Sequence, residues 1–454
     1  MILYENPMWK GIVRLSLPVF FVNILKTIHD LVDGVFLGQL EDGTSLQSAV
    51  ALSWPVYFVF MSFGLGLSVA GNALIGQYIG SRDSSNAHKY AMNVVVLALI
   101  LGLSFNIFIY FSAPLIFNIM GAESTDYTYA VTYMRIRSFE LNFLFLSFAF
   151  QAIRQSTGDT VKPMIINGLA VAFNIALTPL LILVFDLGIA GAALATLIAH
   201  GLMTPFIIYY LFWPKNGIRL EFKKEYLDVT SMKDIMKVAM PASAGQSIQA
   251  IGFVILNSLI YSFGNSVSAA FYIGNRINML VMFPAFAVGQ IVSIYVAQNI
   301  GAKNIPRAKE SIKTGLVMSI AIMVASVLVI IPFRIPLVNL FNNDADTIGY
   351  AAEYTLILIL GLPLMAVFQV LMSTFQGAGE TKYAFGMAVT RLWIFRLPLV
   401  LFTMHLTGWG PRGVWFSMLA SNLFIVGVGG YFYKKLTFEP KIRHKQKKRE
   451  VAIT

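Results

Sequence analysis

Residues 26–34 read KTIHDLVDG and lie in the middle of a predominantly apolar run, residues 12–40. A run of this length can cross a bilayer, which needs about 20 residues in helical form. At about 100° per residue, four ionisable side chains fall on one side of such a helix: Lys26, His29, Asp30 and Asp33. Because charged groups at membrane depth are costly, they are normally paired or functional. This face therefore predicts a polar site inside the protein.

The composition extends this interpretation to the whole chain. Of its 454 residues, 57% are hydrophobic and only 12% are charged, whereas soluble domains carry about twice that charge. Apolar runs of 18 or more residues recur, among them residues 94–111, 164–184, 316–333 and 414–431. We therefore predict an all-α polytopic membrane protein with twelve transmembrane helices in two six-helix bundles, related by a pseudo-two-fold axis along the membrane normal.

Several function classes are disfavoured by what the sequence lacks. There are no cysteines, the five histidines show no metal-ligand spacing, and no Walker motif is present. No nucleophile constellation is visible either, so we expect no enzyme, no metal and no cofactor other than a coupling ion.

The net charge of +11 is interpreted as a topology signal. Lysine and arginine cluster in alternate loops and in the C-terminal stretch 434–449, which by the positive-inside rule places both termini in the cytoplasm. We expect a multi-pass protein of the plasma membrane. The basic tail is interpreted as an anchor that touches anionic lipid rather than as a nucleic-acid patch.

An internal repeat divides the chain. Four motifs recur in order 221 to 223 residues later: residues 17–18 with 240–241, 77–80 with 298–301, 155–160 with 376–381, and 191–193 with 413–415. Such a series indicates a duplication. The predicted domains are an N-terminal lobe, a cytoplasmic linker, a C-terminal lobe and a basic tail, at residues 1–214, 215–234, 235–434 and 435–454.

The ordered motifs resemble the multidrug and toxic compound extrusion (MATE) family of the MOP flippase superfamily, over nearly the whole chain. They are Leu17-Pro18, Asp33-Gly34 with Leu37-Gly38, residues 154–163, Asn174 with Pro179, residues 188–196, and Arg391 with residues 396–398. The resemblance implies secondary active efflux of organic, mostly cationic, drugs, driven by protons or sodium. It also implies a coupling site in the N-terminal lobe, formed by Asp33, Tyr133, Asn174, Thr178 and Thr196.

Two departures from the family pattern affect the mechanism. Well-known members have an aspartate where this chain has Thr178, and span seven lacks the carboxylate of another branch, offering Gln246 and Gln249 instead. Sodium favours several oxygen ligands, carboxylates above all, whereas a proton needs only Asp33. We therefore expect proton coupling, with sodium coupling as the alternative.

Other polar residues are candidates for substrate binding or for tuning the site. Asp30 is the better partner for Lys26, because Asp33 lies about 10 Å further along the helix. His29 is an unplaced neighbour. Glu140 is interpreted as the partner of Arg137 one turn away. A further set completes the candidates: Gln246, Arg276 and Met279.

The predicted function is a proton-coupled multidrug exporter that works by alternating access as a monomer and contacts membrane lipids. One alternative is a flippase for polyprenyl-linked sugars or another lipid, which predicts basic residues in the cleft. A second is a non-transporting sensor or scaffold, which would normally carry an extra soluble domain.

Overall fold

The computed structural model describes residues 7–40, 42–121, 124–214, 216–221 and 223–443. These residues fold into α-helices: α1 Met8–Gly38, α2 Gly43–Gly80, α3 Ser84–Ile119, α4 Ser124–Ser156, α5 Val161–Pro179, α6 Gly188–Phe212, α7 Val229–Tyr261, α8 Asn265–Gly301, α9 Ile305–Asn339, α10 Ala345–Ile359, α11 Leu362–Gly377, α12 Thr381–Val389, α13 Leu397–Leu406 and α14 Pro411–Lys435. Segments of π-helix, Leu180–Val184 and Thr390–Arg396, continue α5 and α12, and Lys224–Tyr226 form a 3-10 turn.

The helices make the twelve membrane segments that the sequence predicts. Within the described ranges, ten helical segments are long and apolar enough to cross a membrane, and α10 with α11, bent by 53°, makes an eleventh. The bend precedes Pro363, in the first turn of α11, because proline cannot donate a backbone hydrogen bond. The twelfth, α4, is 33 residues long but less apolar, since it carries Arg135, Arg137 and Glu140. The predicted fold class is confirmed.

A polar connection joins α6 to α7. The side chain of Asp228 accepts hydrogen bonds from the backbone N–H groups of Thr230 (3.2 Å) and Ser231 (3.1 Å) and so caps α7. The helix therefore begins inside the segment predicted as the linker. Hydrogen bonds from Lys89, whose Nζ lies 2.8 Å away, and from Ser231 hold the pKa of Asp228 well below its usual range.

Each lobe completes the hydrophobic core of the other. The first half of α1 packs against α8 and α9, and its buried side chains belong to the core of the C-terminal lobe: Met8, Ile12, Leu15 and Val19. Conversely, Ile235, Val238 and Ala239 from the first turns of α7 are buried in the core of the N-terminal lobe. The two lobes are thus reciprocally packed through their first helices.

The lobes meet most closely at one end of the molecule, which we call the tail side because residues 436–443 lie there. A Cβ atom added to Gly80, at the end of α2, would lie 1.9 Å from the carbonyl oxygen of Gln298 on α8. A Cβ on Gly301 would lie equally close to the carbonyl oxygen of Gln77. Only glycine permits this approach of two backbones, so both positions of this repeated motif serve helix contact.

Residues 436–443 cross from one lobe to the other. Phe438 is buried in the C-terminal core, and Ile442 is buried in the N-terminal core. The Lys441 backbone N–H donates to Gln77 Oε1 at 2.7 Å. The Arg443 guanidinium donates two hydrogen bonds, of 2.8 and 3.0 Å, to the carboxylate of Asp234, and this pairing raises the pKa of Arg443. The segment therefore holds the lobes together on the tail side.

Candidate functional site

Three of the predicted site residues form a buried hydrogen-bonded group in the N-terminal lobe. Asn174 and Thr178 lie one turn apart on α5, and the Thr178 hydroxyl donates to Asn174 Oδ1 at 3.4 Å. Asn174 Nδ2 donates to Thr196 Oγ1 on α6 at 3.0 Å. All three side chains are buried. The hydroxyl at position 178 is therefore engaged with the amide at the place where a carboxylate was expected from the family pattern.

A buried ion pair lies on α4. Glu140 is 2% exposed, and its Oε2 lies 2.6 Å from Nη1 of Arg137. The predicted pairing of these two residues is confirmed. Buried charges persist when they are paired, and Glu140 also lies 3.2 Å, through Oε1, from Nδ1 of His200 on α6.

His200 connects the ion pair to the hydrogen-bonded group. Its Nδ1 lies 3.1 Å from the backbone oxygen of Thr196, the same residue whose hydroxyl accepts from Asn174. Sequence reasoning treated His200 as one of five scattered histidines. Its place four residues after Thr196, on the same face of α6, is the signal that would have found it.

Two tyrosines cover the arginine. The guanidinium carbon of Arg137 lies 4.6 Å from the ring centroid of Tyr57 on α2 and 5.8 Å from that of Tyr133 on α4. Such cation–π contacts stabilise a desolvated cation. Tyr57 was missed in the sequence because α2 offers no charged neighbour to mark it. We call the whole set the N-lobe cluster: Tyr57, Tyr133, Arg137, Glu140, Asn174, Thr178, Thr196 and His200.

The predicted polar face of α1 lies next to this region, because α1 packs against α5. The backbone of α1 is helical throughout residues 26–34. The side chains of Asp30 and Asp33 lie outside the described residues. Lys26 is exposed and His29 is half-buried. The role of Asp33 as the coupling carboxylate stays a prediction.

The C-terminal lobe buries two arginines among neutral partners. Arg391 Nη2 donates to Gln249 Oε1 at 3.0 Å, and its guanidinium lies 4.4 Å from the Phe368 ring centroid. Arg396 donates to Ser421 Oγ at 3.0 Å and to Asn422 Oδ1 at 2.8 Å. Both arginines therefore make hydrogen bonds between helices, Arg391 to α7 and Arg396 to α14.

The remaining candidates lie apart from the N-lobe cluster. Gln246 is half-buried on α7. Arg276, on α8, is half-buried and donates to the hydroxyl of Tyr272 on the same helix at 3.2 Å. Met279 is 55% exposed. The structure does not bring these three residues to the polar groups of the N-terminal lobe.

Surface pockets lie in both lobes, and one of about 490 Å³ is lined by residues of α4 and α6 next to Glu140 and His200, among them Phe139 and Gly201. Among the described residues, no three His, Asp or Glu side chains are grouped to hold a metal ion. Another surface pocket of about 490 Å³ lies between α9, α10 and α14, where Arg412 pairs with Glu353 at 2.5 Å. Its lining carries both signs of charge, and it is far from the buried polar group in the other lobe.

Two lobes of membrane-spanning helices with a buried polar cluster in one of them are typical of membrane transporters built from internal repeats. The MatE family model matches residues 18–180 and 241–402, once in each lobe. The chain therefore belongs to the MatE family and is a multi-pass membrane transporter.

Curated relatives and solved structures agree with this assignment. "Probable multidrug resistance protein YoeA" of Bacillus subtilis is 25% identical over 440 residues, 94% of each chain. "Multidrug export protein MepA" of Staphylococcus aureus is 27% identical over 425 residues, 92% of each chain. A solved structure described as an outward-facing conformation of a multidrug resistance MATE family transporter superposes with a TM-score of 0.90, at 26% identity and 96% coverage of both chains.

Proposed function

We propose that this protein exports small organic compounds, mainly cations, from the cell in exchange for protons. Family membership supports transport, and the names of the similar proteins from Bacillus subtilis and Staphylococcus aureus support multidrug export as its purpose. The protein acts as a monomer in the plasma membrane, surrounded by lipid and with both termini in the cytoplasm. It needs no cofactor besides the coupling ion.

The N-lobe cluster is the observation that carries this proposal. It links α4, α5 and α6 through buried polar contacts, and α5 packs against α1, the helix of Asp33. A carboxylate in such a low-dielectric setting alternates between charged and neutral forms. When Asp33 takes up a proton, α1 loses a charge, repacks and releases the substrate.

Proton coupling is favoured over sodium coupling by the oxygen atoms that Asn174, Thr178 and Thr196 offer. A sodium ion needs several oxygen ligands, yet Thr178 donates to Asn174 Oδ1, and Thr196 Oγ1 accepts from Asn174. The oxygens that these three side chains offer are neutral amide and hydroxyl oxygens, whereas sodium favours carboxylates. A proton on Asp33 asks for no such ligand set.

The closed tail side is the basis for proposing the side of the membrane from which cargo leaves. Basic residues concentrate on the tail-side loops, so the positive-inside rule places this side in the cytoplasm. The glycine contacts and residues 436–443 close that side. In this proposal, cargo leaves from this conformation on the other side of the membrane.

Fluorescent-dye transport in inverted membrane vesicles tests the proposal. A proton gradient alone should drive dye movement, replacement of sodium by choline should not reduce it, and Asp33→Asn should abolish it. Asp186→Asn is the matched control, because Asp186 lies in an exposed loop with φ 53°, which asparagine tolerates. Transport driven only by a sodium gradient would reverse the choice of ion.

A second candidate is the transport of a lipid or other cargo with an anionic group. It is favoured by the burial of Arg391 and Arg396 among neutral partners, since a buried guanidinium attracts an anion. In this case Arg391→Gln would reduce transport of an anionic substrate and leave transport of a cationic dye intact.

A further inference from the structure

We propose that His200 is a proton-binding residue of the coupling site and that Glu140 stabilises its protonated form. This inference rests on the proposed proton coupling and deepens it, because it adds a second titratable group to Asp33. The geometry of the imidazole ring in the N-lobe cluster carries it.

The contacts of His200 fix which nitrogen can bind the coupling proton. Nδ1 lies 3.1 Å from the backbone oxygen of Thr196 and 3.2 Å from Glu140 Oε1. A carbonyl oxygen can only accept a hydrogen bond, so Nδ1 carries a hydrogen in the neutral ring and donates it. Nε2 then holds the lone pair, and it is the atom that gains or loses a proton.

The charges around His200 determine how its protonation changes the net charge of the N-lobe cluster. Arg137 and Glu140, paired at 2.6 Å, together carry no net charge, so a proton on His200 adds a net positive charge to this group of three side chains. Among the residues whose side chains are described, the other titratable groups that face it include Tyr57, on α2, and Tyr133, which both contact Arg137. From α1, His29 interacts electrostatically with His200. A carboxylate beside an imidazolium favours the charged ring, and the guanidinium opposes it.

Thr196 is the link between this proton and the predicted coupling residues. Its backbone oxygen accepts from His200, and its hydroxyl accepts from Asn174. Asn174 in turn accepts from Thr178. A charge on the imidazole strengthens the hydrogen bond to Thr196 and so acts on the contact between α5 and α6. Since α1 packs against α5, protonation of His200 affects the packing of the helix that carries Asp33.

Proton release on ligand binding tests the inference directly. We would titrate the purified full-length protein with tetraphenylphosphonium by calorimetry, in buffers with different ionisation enthalpies, between pH 5.5 and 8.5. The wild type should release protons when the ligand binds, and one component of that release should change within this pH range as His200 titrates. His200→Gln, which keeps an N–H donor for Thr196, should lose that component, roughly one proton per ligand.

A second pair of variants gives an independent readout. Glu140→Gln should move the pH midpoint of that component downward, because the imidazolium loses its anionic neighbour while Arg137 stays. If this variant does not fold, the double variant Arg137→Gln/Glu140→Gln removes both charges, and its midpoint should differ from that of wild type because neither the anion nor the cation beside the ring remains. His88→Gln is the matched control, because His88 makes the same bond to the oxygen four residues earlier, Ser84 O, at 2.7 Å on the tail side.

The outcomes separate this inference from the proposed function. If a proton gradient drives dye transport by the wild type but His200→Gln keeps the same proton release and the same pH profile, the inference is wrong and the proposed function stands. If the proton gradient drives no transport by the wild type, the proposed function is wrong, and the inference is lost with it. Loss of the release component in His200→Gln and not in His88→Gln supports the role of His200.

Discussion

The close approach of α2 and α8 predicts that one methyl group opens the tail side. In Gly80→Ala the new Cβ would lie 1.9 Å from the carbonyl oxygen of Gln298, whereas ordinary contacts start at 3.4 Å. Because the opposing atom belongs to the backbone of a helix, it cannot rotate away. The two helix ends must separate by about 1.5 Å, the distance that restores an ordinary contact.

The expected size of the effect follows from the cost of overpacking. Inserting a methyl group into a tight contact costs about 1–3 kcal/mol, and every 1.4 kcal/mol is about a factor of ten in an equilibrium. Only the conformation with a closed tail side contains the clash. Gly80→Ala should therefore shift the population away from that conformation by about tenfold or more and slow transport.

Distance measurement between spin labels tests this shift. The chain has no cysteine, so labels on Ser85→Cys and Glu310→Cys, two exposed positions on the tail-side ends of α3 and α9, give no background. Pulsed dipolar spectroscopy should find longer distances in Gly80→Ala. Gly427→Ala is the control, since a Cβ there has nothing within 4 Å. An unchanged distance distribution, with normal transport, would refute the reasoning.

Three further predictions concern stability and the tail. Asp228→Ala should lower the unfolding temperature at neutral pH, because it removes a helix cap that contributes about 1 kcal/mol to stability. The pKa of Asp228 is lowered in the fold, so its contribution to stability is present above the unfolded pKa near 3.9 and is lost as the pH falls from there. The thermal-shift difference from wild type should therefore shrink on acidification. Arg396→Ala should destabilise by about 1–3 kcal/mol, since the buried amide oxygen of Asn422 loses its donor. Asp234→Asn should weaken the hold on Arg443 and speed tryptic cleavage in residues 436–443.

Controls are available for each of the three. Arg412→Ala removes an arginine whose side chain is 69% exposed and paired with Glu353, so it should cost much less than Arg396→Ala. For Asp234, the cleavage rate of Asp346→Asn should match that of wild type, and raising the salt concentration should reduce the difference between Asp234→Asn and wild type. An Asp228→Ala deficit that persists unchanged at pH 3 would contradict the capping and pairing argument.

Local patterns in the sequence predicted much of the fold and part of the site. Helix length and apolar composition fixed the spans, and the spacing of three residues predicted the pair of Arg137 and Glu140. The contact of Glu140 with His200 was out of reach, because it depends on how α4 and α6 are rotated against each other. The 53° bend between α10 and α11 was equally hidden, because several other helices, such as α1 and α2, also contain a proline and are unbroken.

At position 178 the family pattern predicted which residues lie together, but not how their side chains are bonded. The resemblance predicted that Asn174, Thr178 and Thr196 act together, and the structure brings these three side chains into hydrogen-bonded contact. Sequence alone could not show that the Thr178 hydroxyl donates a hydrogen bond to Asn174, because that depends on the rotamers of two buried side chains.

The reciprocal packing of the first helices has a consequence for synthesis and ancestry. The N-terminal lobe completes its core with Ile235, Val238 and Ala239, which emerge from the ribosome only after α6 and the polar connection have been made. The N-terminal lobe therefore cannot complete its hydrophobic core until the start of α7 has been synthesised. If the two halves descend from one duplicated gene, this packing matches a pair of identical chains in which each inserts the start of its first helix into the core of the other.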